Sequence, residues 1–157
     1  MNIRRAATGD RERIREILIA TARFSRLEVG WAMELVDSAL AHPERGEYEA
    51  HVLADAEIHG YVLFGPTPMT DGVYDLYWIA VDPNEQGRGF GQLLLKFVEN
   101  EVRQRAGRML LIETSSKRSY APTIRFYQRA GYQEISRIKD FYRIEDDKVV
   151  FCKHLAE

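Results

Sequence analysis

The 157-residue sequence predicts a single α+β domain spanning residues 1–157, with a mixed, largely antiparallel sheet of about seven strands and four flanking helices. Three observations predict it. Strand-like and helix-like runs alternate in the order βααβββαβαββ, with three consecutive strand runs in the middle that imply antiparallel neighbours. Each helical run carries one apolar face that a sheet must cover. No repeat, low-complexity tract or linker interrupts the series.

The elements follow in order. Asn2–Ala6 is a short strand, and Thr8 reads as the N-cap of a helix running to about Arg23, with Ile14, Ile17 and Leu18 on one face. A second helix covers about Val29 to Leu40, apolar at Met33, Leu35, Val36 and Leu40, and stops before Pro43. "YEAHVLAD" and "EIHGYVLFG" are β-rich runs joined by "ADAE", which predicts an antiparallel hairpin. After the loop "GPTPMTDG" comes a third middle strand, "VYDLYWIAV" (Val73–Val81). The next helix reaches about Ala106, where Gly107 stops it. "RMLLIETS" is a strand, and "APTIRFYQRAG" is a short helix opened by Pro122 and closed by Gly131. "YQEISRIKDFY" and "KVVFCKHL" are the last two strands.

Composition removes several classes of function. With 45% apolar and 29% charged residues and a net charge of −2, the chain offers no global basic field for nucleic acid. Arg4, Arg5, Arg11, Arg13 and Arg15 are interrupted by Asp10, Glu12 and Glu16, the pattern of a solvated helix face. No apolar run approaches the roughly 20 residues that span a bilayer, and "MNIRRAATGD" lacks the apolar core of a signal peptide. One cysteine, Cys152, rules out an intrachain disulfide. The expected compartment is therefore the reducing cytoplasm.

The most informative stretch is "VDPNEQGRGFGQLLLKFVE", where Gly87, Gly89 and Gly91 alternate between a strand and a helix. The first N–H groups of a helix have no intrahelical partners, and the helix dipole favours negative charge there. Glycines let such a loop approach a phosphate, and Arg88 adds a cation. The dinucleotide fingerprint fails at Gln92, and no Gly-Lys-Ser/Thr follows for a Walker-type loop. A plain flexible turn accounts for one or two of the glycines.

With "IAVDPNEQGRGFGQLLL", which places Gln86, Gly89 and Gly91 in a Gln/Arg-x-x-Gly-x-Gly/Ala signature, the sequence resembles the GCN5-related N-acetyltransferase (GNAT) superfamily. The "RFYQRAGY" stretch, an aromatic Tyr on a short helix followed by a glycine–aromatic pair, resembles a second family feature, and the order of elements matches along essentially the whole chain. The resemblance implies the GNAT fold, with acetyl-CoA in a V-shaped opening between the fourth and fifth strands. It implies that the backbone of Ile79, Ala80 and Val81 pairs with the pantetheine arm. It further implies that the amides of Gln86, Gly87, Arg88, Gly89, Phe90 and Gly91 hold the pyrophosphate. Seven residues before Tyr127, where members often carry Asn, stands Tyr120, counted here with the cofactor-contacting positions.

Acetyl transfer needs a neutral amine. For a lysine-type amine of pKa about 10.4, deprotonation at pH 7 costs about 4–5 kcal/mol, so a base or water relay is expected at the thioester. Strand alternation predicts Asp75, Tyr77, Ile79 and Val81 on one face. Asp75 resembles in position the glutamate base of the histone-acetyltransferase branch, Tyr77 would position a water or line the acceptor pocket, and Glu113 is an alternative base. Tyr127 matches the family Tyr that donates a proton to the leaving thiolate, and the Val81 N–H is the implied oxyanion donor. No metal is expected, since His42, His51 and His59 lack ligand spacing. Cys152 and His154 lack an orienting acid for nucleophilic chemistry. Trp31 and Trp78 are expected to be packing anchors.

Glu28, Glu34, Asp71 and Asp75 fall in segments that shape the acceptor side and would suit a cationic amine. The resemblance therefore implies transfer from acetyl-CoA, in a ternary complex, to a small-molecule amine or a peptide or protein amine. Many family members dimerise, which brings a homodimer within the expectation. The alternative is a non-catalytic acyl-CoA-binding or sensor domain, which Tyr120 in place of Asn favours.

Overall fold

The computed structural model describes residues 1–155. In chain order they form β1 (Asn2–Arg5), α1 (Arg11–Ala20), α2 (Arg26–Ala41), β2 (Glu49–Ala54), β3 (Ile58–Pro66), β4 (Val73–Val81), α3 (Phe90–Gln104), β5 (Met109–Ser115), α4 (Ala121–Arg129), β6 (Gln133–Arg143) and β7 (Asp146–His154). The strands make one seven-stranded sheet in the order β1-β2-β3-β4-β5-β7-β6. β4 and β5 run parallel, because α3 carries the chain back across the sheet between them. All other neighbours are antiparallel. Order and class are those expected from the sequence.

The sheet has a helical layer and a core on each face. On one side Ile14, Ile17 and Leu18 of α1 and Val36 of α2 pack over Val52, Tyr61 and Leu63. On the other, Leu94, Leu95 and Val98 of α3 cover Val62, Phe64, Leu110 and Phe151. Both faces of β3 are buried, which is why its sequence is an almost unbroken apolar run. Among the described residues no helix is long and apolar enough to cross a membrane.

The local starts differ from the sequence reading. Thr8 does not cap α1. Thr8–Asp10 is a 3-10 turn, and the Asp10 carboxylate accepts the Ala7 N–H at 2.7 Å and the Arg4 guanidinium at 2.7 Å. The first helix ends at Ala20, and α2 starts earlier, at Arg26. Ser25 caps α2: its hydroxyl accepts the Glu28 N–H at 3.1 Å, while the Glu28 carboxylate accepts the Ser25 N–H at 3.3 Å. The buried stripe of α2 is Val29, Ala32, Met33, Val36 and Ala39. Trp31 falls outside that stripe and is 54% exposed, so it does not anchor the packing. Trp78 does pack, edge-on against Phe24 with ring centroids 4.9 Å apart.

One irregularity decides how β4 is used. Leu63 pairs with Trp78 but the next residue, Phe64, pairs with Leu76, so Tyr77 is an extra residue in the ladder. Before this bulge, Tyr74 and Leu76 face the α3 side. After it, Ile79 and Val81 face that side, while Tyr77, Trp78 and Ala80 pack with the α1–α2 layer. The expectation that Asp75, Tyr77, Ile79 and Val81 share a face is therefore corrected. Asp75 and Tyr77 lie on one side of the sheet, Ile79 and Val81 on the other, because strict period-2 alternation does not survive an inserted residue.

Candidate active site

The site is a gap between two parallel strands. β4 and β5 pair from Val73↔Met109 to Leu76↔Ile112 and no further. Beyond that point β4 stays with β3 as far as Val81↔Gly60, and β5 stays with β7 as far as Ser115↔Lys148. The Asp82 N–H donates to the His59 carbonyl at 2.8 Å. Gly60 and Val81 are therefore a non-hydrogen-bonded pair, whose own N–H and C=O groups point away from each other. Val81, and by alternation Ile79, thus present backbone donors and acceptors to the gap.

The glycine loop continues from the end of that free edge. Gly87 (φ 82) and Gly89 (φ 78) occupy the left-handed region, and a Cβ on either would meet nothing within 4 Å. Their glycines answer to backbone conformation, not to crowding by the protein. Gly89 is the N-cap of α3 and has no capping side chain. The amides of Gly87 through Gln92 donate to no group among the described residues. The loop is held from below: the Asp82 carboxylate accepts the Asn84 N–H at 2.9 Å and Arg13 at 2.5 Å. Those two contacts, the N–H first, hold the Asp82 carboxyl below its ordinary range. The Arg88 guanidinium folds back onto Glu85 and over the Phe90 ring, 4.7 Å from its centroid. Phe90 itself is buried, so it offers the loop's outer side only backbone.

Carboxylates and phenols line the α1–α2 side of the gap. Asp75 accepts the Thr67 hydroxyl at 2.6 Å and, more loosely, the Tyr77 hydroxyl at 3.4 Å. Burial pushes the Asp75 carboxyl up, and the nearby charge of Glu113 adds to that; the direction suits proton acceptance closer to neutral pH. Glu113 is about half exposed and pairs with Lys148 at 3.3 Å. The Tyr120 hydroxyl is taken up by Glu28 at 3.1 Å. Burial, and after it the charges of Glu113, Asp146 and Glu28, push the Tyr142 phenol up. Glu34 and Asp71 are exposed and join none of these contacts.

Tyr127 lies on the opposite, α3–α4 side. The Tyr132 N–H donates to the Tyr127 carbonyl at 3.0 Å, where Gly131 (φ 93) ends the helix. The Tyr132 hydroxyl is fixed on buried Glu99 at 2.8 Å. That arrangement explains the "RFYQRAGY" pattern as a brace for the Tyr127 ring. The ring is 4% exposed. Burial pushes its phenol up while the positive charge of Arg23 pulls it down, and no hydrogen bond contributes.

The histidines are dispersed. His51 sits between Phe64 and Phe97, His59 contacts Asp55 at 2.9 Å, and His42 lies near exposed Glu44. Among the described residues no group of three or more His, Cys, Asp and Glu is arranged to hold a metal. Thr67, Asp146, Lys148 and Arg23 were not among the residues singled out from the sequence. Asp146, Lys148 and Arg23 come from distant segments and Thr67 from the loop just before β4, and no local spacing announces them.

The sequence model of the acetyltransferase (GNAT) domain matches residues 47–134. The structure is similar to that of a GNAT-family protein from Desulfovibrio desulfuricans, with 42% identity over 99% of each chain and a TM-score of 0.94. It is also similar to the aminoglycoside 6'-N-acetyltransferase from Enterococcus faecium (15% identity, 100% of this chain and 98% of that one, TM-score 0.77). A third similar structure is yncA from Salmonella typhimurium, solved with its cofactor acetyl-CoA (19% identity, 100% and 95% covered, TM-score 0.75). No curated protein sequence matches the chain.

Proposed function

The chain belongs to the GNAT acetyltransferase family, and on that premise we propose that it moves the acetyl group of acetyl-CoA directly to a primary amine that carries positive charge. The observation that carries this reading is the gap itself: a strand edge with unused backbone groups is followed, after one 3-10 turn at Pro83–Glu85, by a loop of unused amides. A pantetheine arm needs the first, and a pyrophosphate needs the second. Ile79 and Val81 would hold the arm, with Ala80 between them bonded to Tyr61 of β3. The amides from Gly87 to Gly91 would hold the phosphates, since the Gln86 N–H already donates to the Pro83 carbonyl at 3.5 Å. Similarity to a structure solved with acetyl-CoA supports the same ligand.

When bound, acetyl-CoA supplies an activated acetyl thioester. The protein's own groups do the rest from two sides of the sheet. Asp75, raised by burial, takes the proton from the incoming ammonium, directly or through a water held by Tyr77. Glu113 is a second, half-exposed carboxylate on that side, and with Glu28 it makes the entrance acidic, which attracts a cationic acceptor. The Val81 N–H faces the position where the carbonyl oxygen gains charge. Tyr127 then gives its proton to the departing sulfur.

The test is release of CoA thiol from acetyl-CoA against polyamines, aminoglycosides, amino acids and short peptides, with wild type and Tyr127→Phe side by side. Acceptor-dependent release that drops about 100-fold in the variant, with acetyl-CoA affinity kept, is the expected outcome. Thermal stabilisation by acetyl-CoA with no release for any acceptor would favour an acyl-CoA-binding sensor instead.

A further inference from the structure

The loop between α1 and α2 reaches across the gap. Ala22 adopts a left-handed conformation (φ 56), which turns the chain so that Phe24 seats on Trp78 of β4. The adjacent Arg23 extends the other way, and its guanidinium donates to the Thr123 hydroxyl of α4 at 3.0 Å. Thr123 stands one helical turn before Tyr127, on the same face of α4. The contact joins segments 100 residues apart and, beside the Tyr120–Glu28 bond at the start of α4, links the α1–α2 layer to the helix that carries the buried phenol.

We propose that Arg23 is a positioning residue that holds a fixed positive charge beside the Tyr127 hydroxyl, so that sulfur leaves the acetyl group next to a cation. The inference rests on the acetyl-CoA reading above. A guanidinium keeps its charge across the working pH range and holds its geometry through a planar fork. As the C–S bond breaks, its electron pair goes to sulfur, sulfur takes the Tyr127 proton, and Tyr127 is left as a phenolate opposite Arg23. Solvent returns the proton to Tyr127 once the thiol has left. The other titratable group facing Tyr127 is Tyr132, with ring centroids 6.0 Å apart, and its hydroxyl is already bound to Glu99. Arg23 is thus the charge that can act there, and it already opposes the effect of burial on Tyr127.

The test needs no acceptor. Calorimetric affinities of CoA and of desulfo-CoA, measured from pH 7 to pH 9.5, isolate the contribution of the sulfur. A cation beside the sulfur makes CoA gain on desulfo-CoA as the thiol ionises, by about tenfold for a one-unit shift. Wild type is expected to show that gain, Arg23→Lys to keep most of it, and Arg23→Gln and Thr123→Val to lose most of it, with melting temperatures confirming that each variant is folded. An equal gain in Arg23→Gln, or no gain in wild type that binds CoA well, would overturn the role of Arg23 and leave the cofactor reading standing. Failure of wild type to bind either molecule would overturn both.

Discussion

The two halves of β4 have similar sequences and opposite jobs. Val73–Leu76 is paired on both edges, to β3 and to β5, and its Leu76 is 4% exposed in the core under α3. Tyr77–Val81 is paired on one edge only, although its burial is alike: each half has one buried residue, Leu76 or Ala80, and the rest are partly buried. Both halves are apolar and β-prone, so composition does not separate them. The difference is made by what stands next to them: β5 is held to β7 and departs, leaving β4 with backbone groups that no strand satisfies. An edge open to an extended ligand is made here by withholding a partner, not by adding special side chains.

That contrast can be broken at three points. The largest effect is expected at Asp75, in the paired half one residue before the end of its pairing with β5. Asp75→Asn should lower kcat/KM by about 10²–10³-fold if it serves as the base. In wild type the rate should fall as pH drops through the raised carboxyl, above the ordinary range near 4; the variant should lack that limb. The sign for stability is opposite. A carboxyl raised on folding makes its ionised form a cost above that pKa, so the variant should melt no lower than wild type at neutral pH. Intact turnover with a lower melting temperature would place Asp75 in the fold alone.

Leu76→Ala tests the paired half. Its fully packed position predicts a loss of about 2–4 kcal/mol in denaturant unfolding, while acetyl-CoA affinity stays near wild type as long as the protein is folded. A selective loss of affinity would show that the two halves are not separable. Gly89→Ala tests the open side and should be the smallest of the three. A left-handed conformation costs an L-residue about 1–2 kcal/mol. If the exposed loop relaxes in the free protein and regains this shape only on binding, the expected result is about tenfold weaker acetyl-CoA binding with little change in melting temperature.

Much of this was readable in the chain. Strand and helix order, the glycine loop and the aromatic helix with Tyr127 all depend on local patterns, and the structure has them where the sequence puts them. The Ser25 cap was also present as Ser-x-x-Glu, although the helical periodicity drew attention to Val29 instead. The bulge at Tyr77 was not readable: an alternating run looks the same whether or not its neighbour keeps step. The surroundings of Asp75 were equally silent, since Thr67, Glu113 and Lys148 come from three segments that only the sheet brings together. Arg23 lay inside what read as a helix end, and its partner is on α4, far along the chain.

The bulge also adds a residue to β4 without putting its edge out of step. Counting along β4, even-numbered residues face α3 before Tyr77 and odd-numbered ones after it. Along that one strand Asp75 goes to the acidic side and the backbone of Ile79 and Val81 into the gap. Deleting Tyr77 would let Trp78 follow Leu76 directly, so the count would stay even while the present Ile79 and Val81 kept their places under α3. The inserted residue therefore leaves the register of the edge unchanged, and what it adds is a phenol on the same side as Asp75, 3.4 Å from its carboxylate.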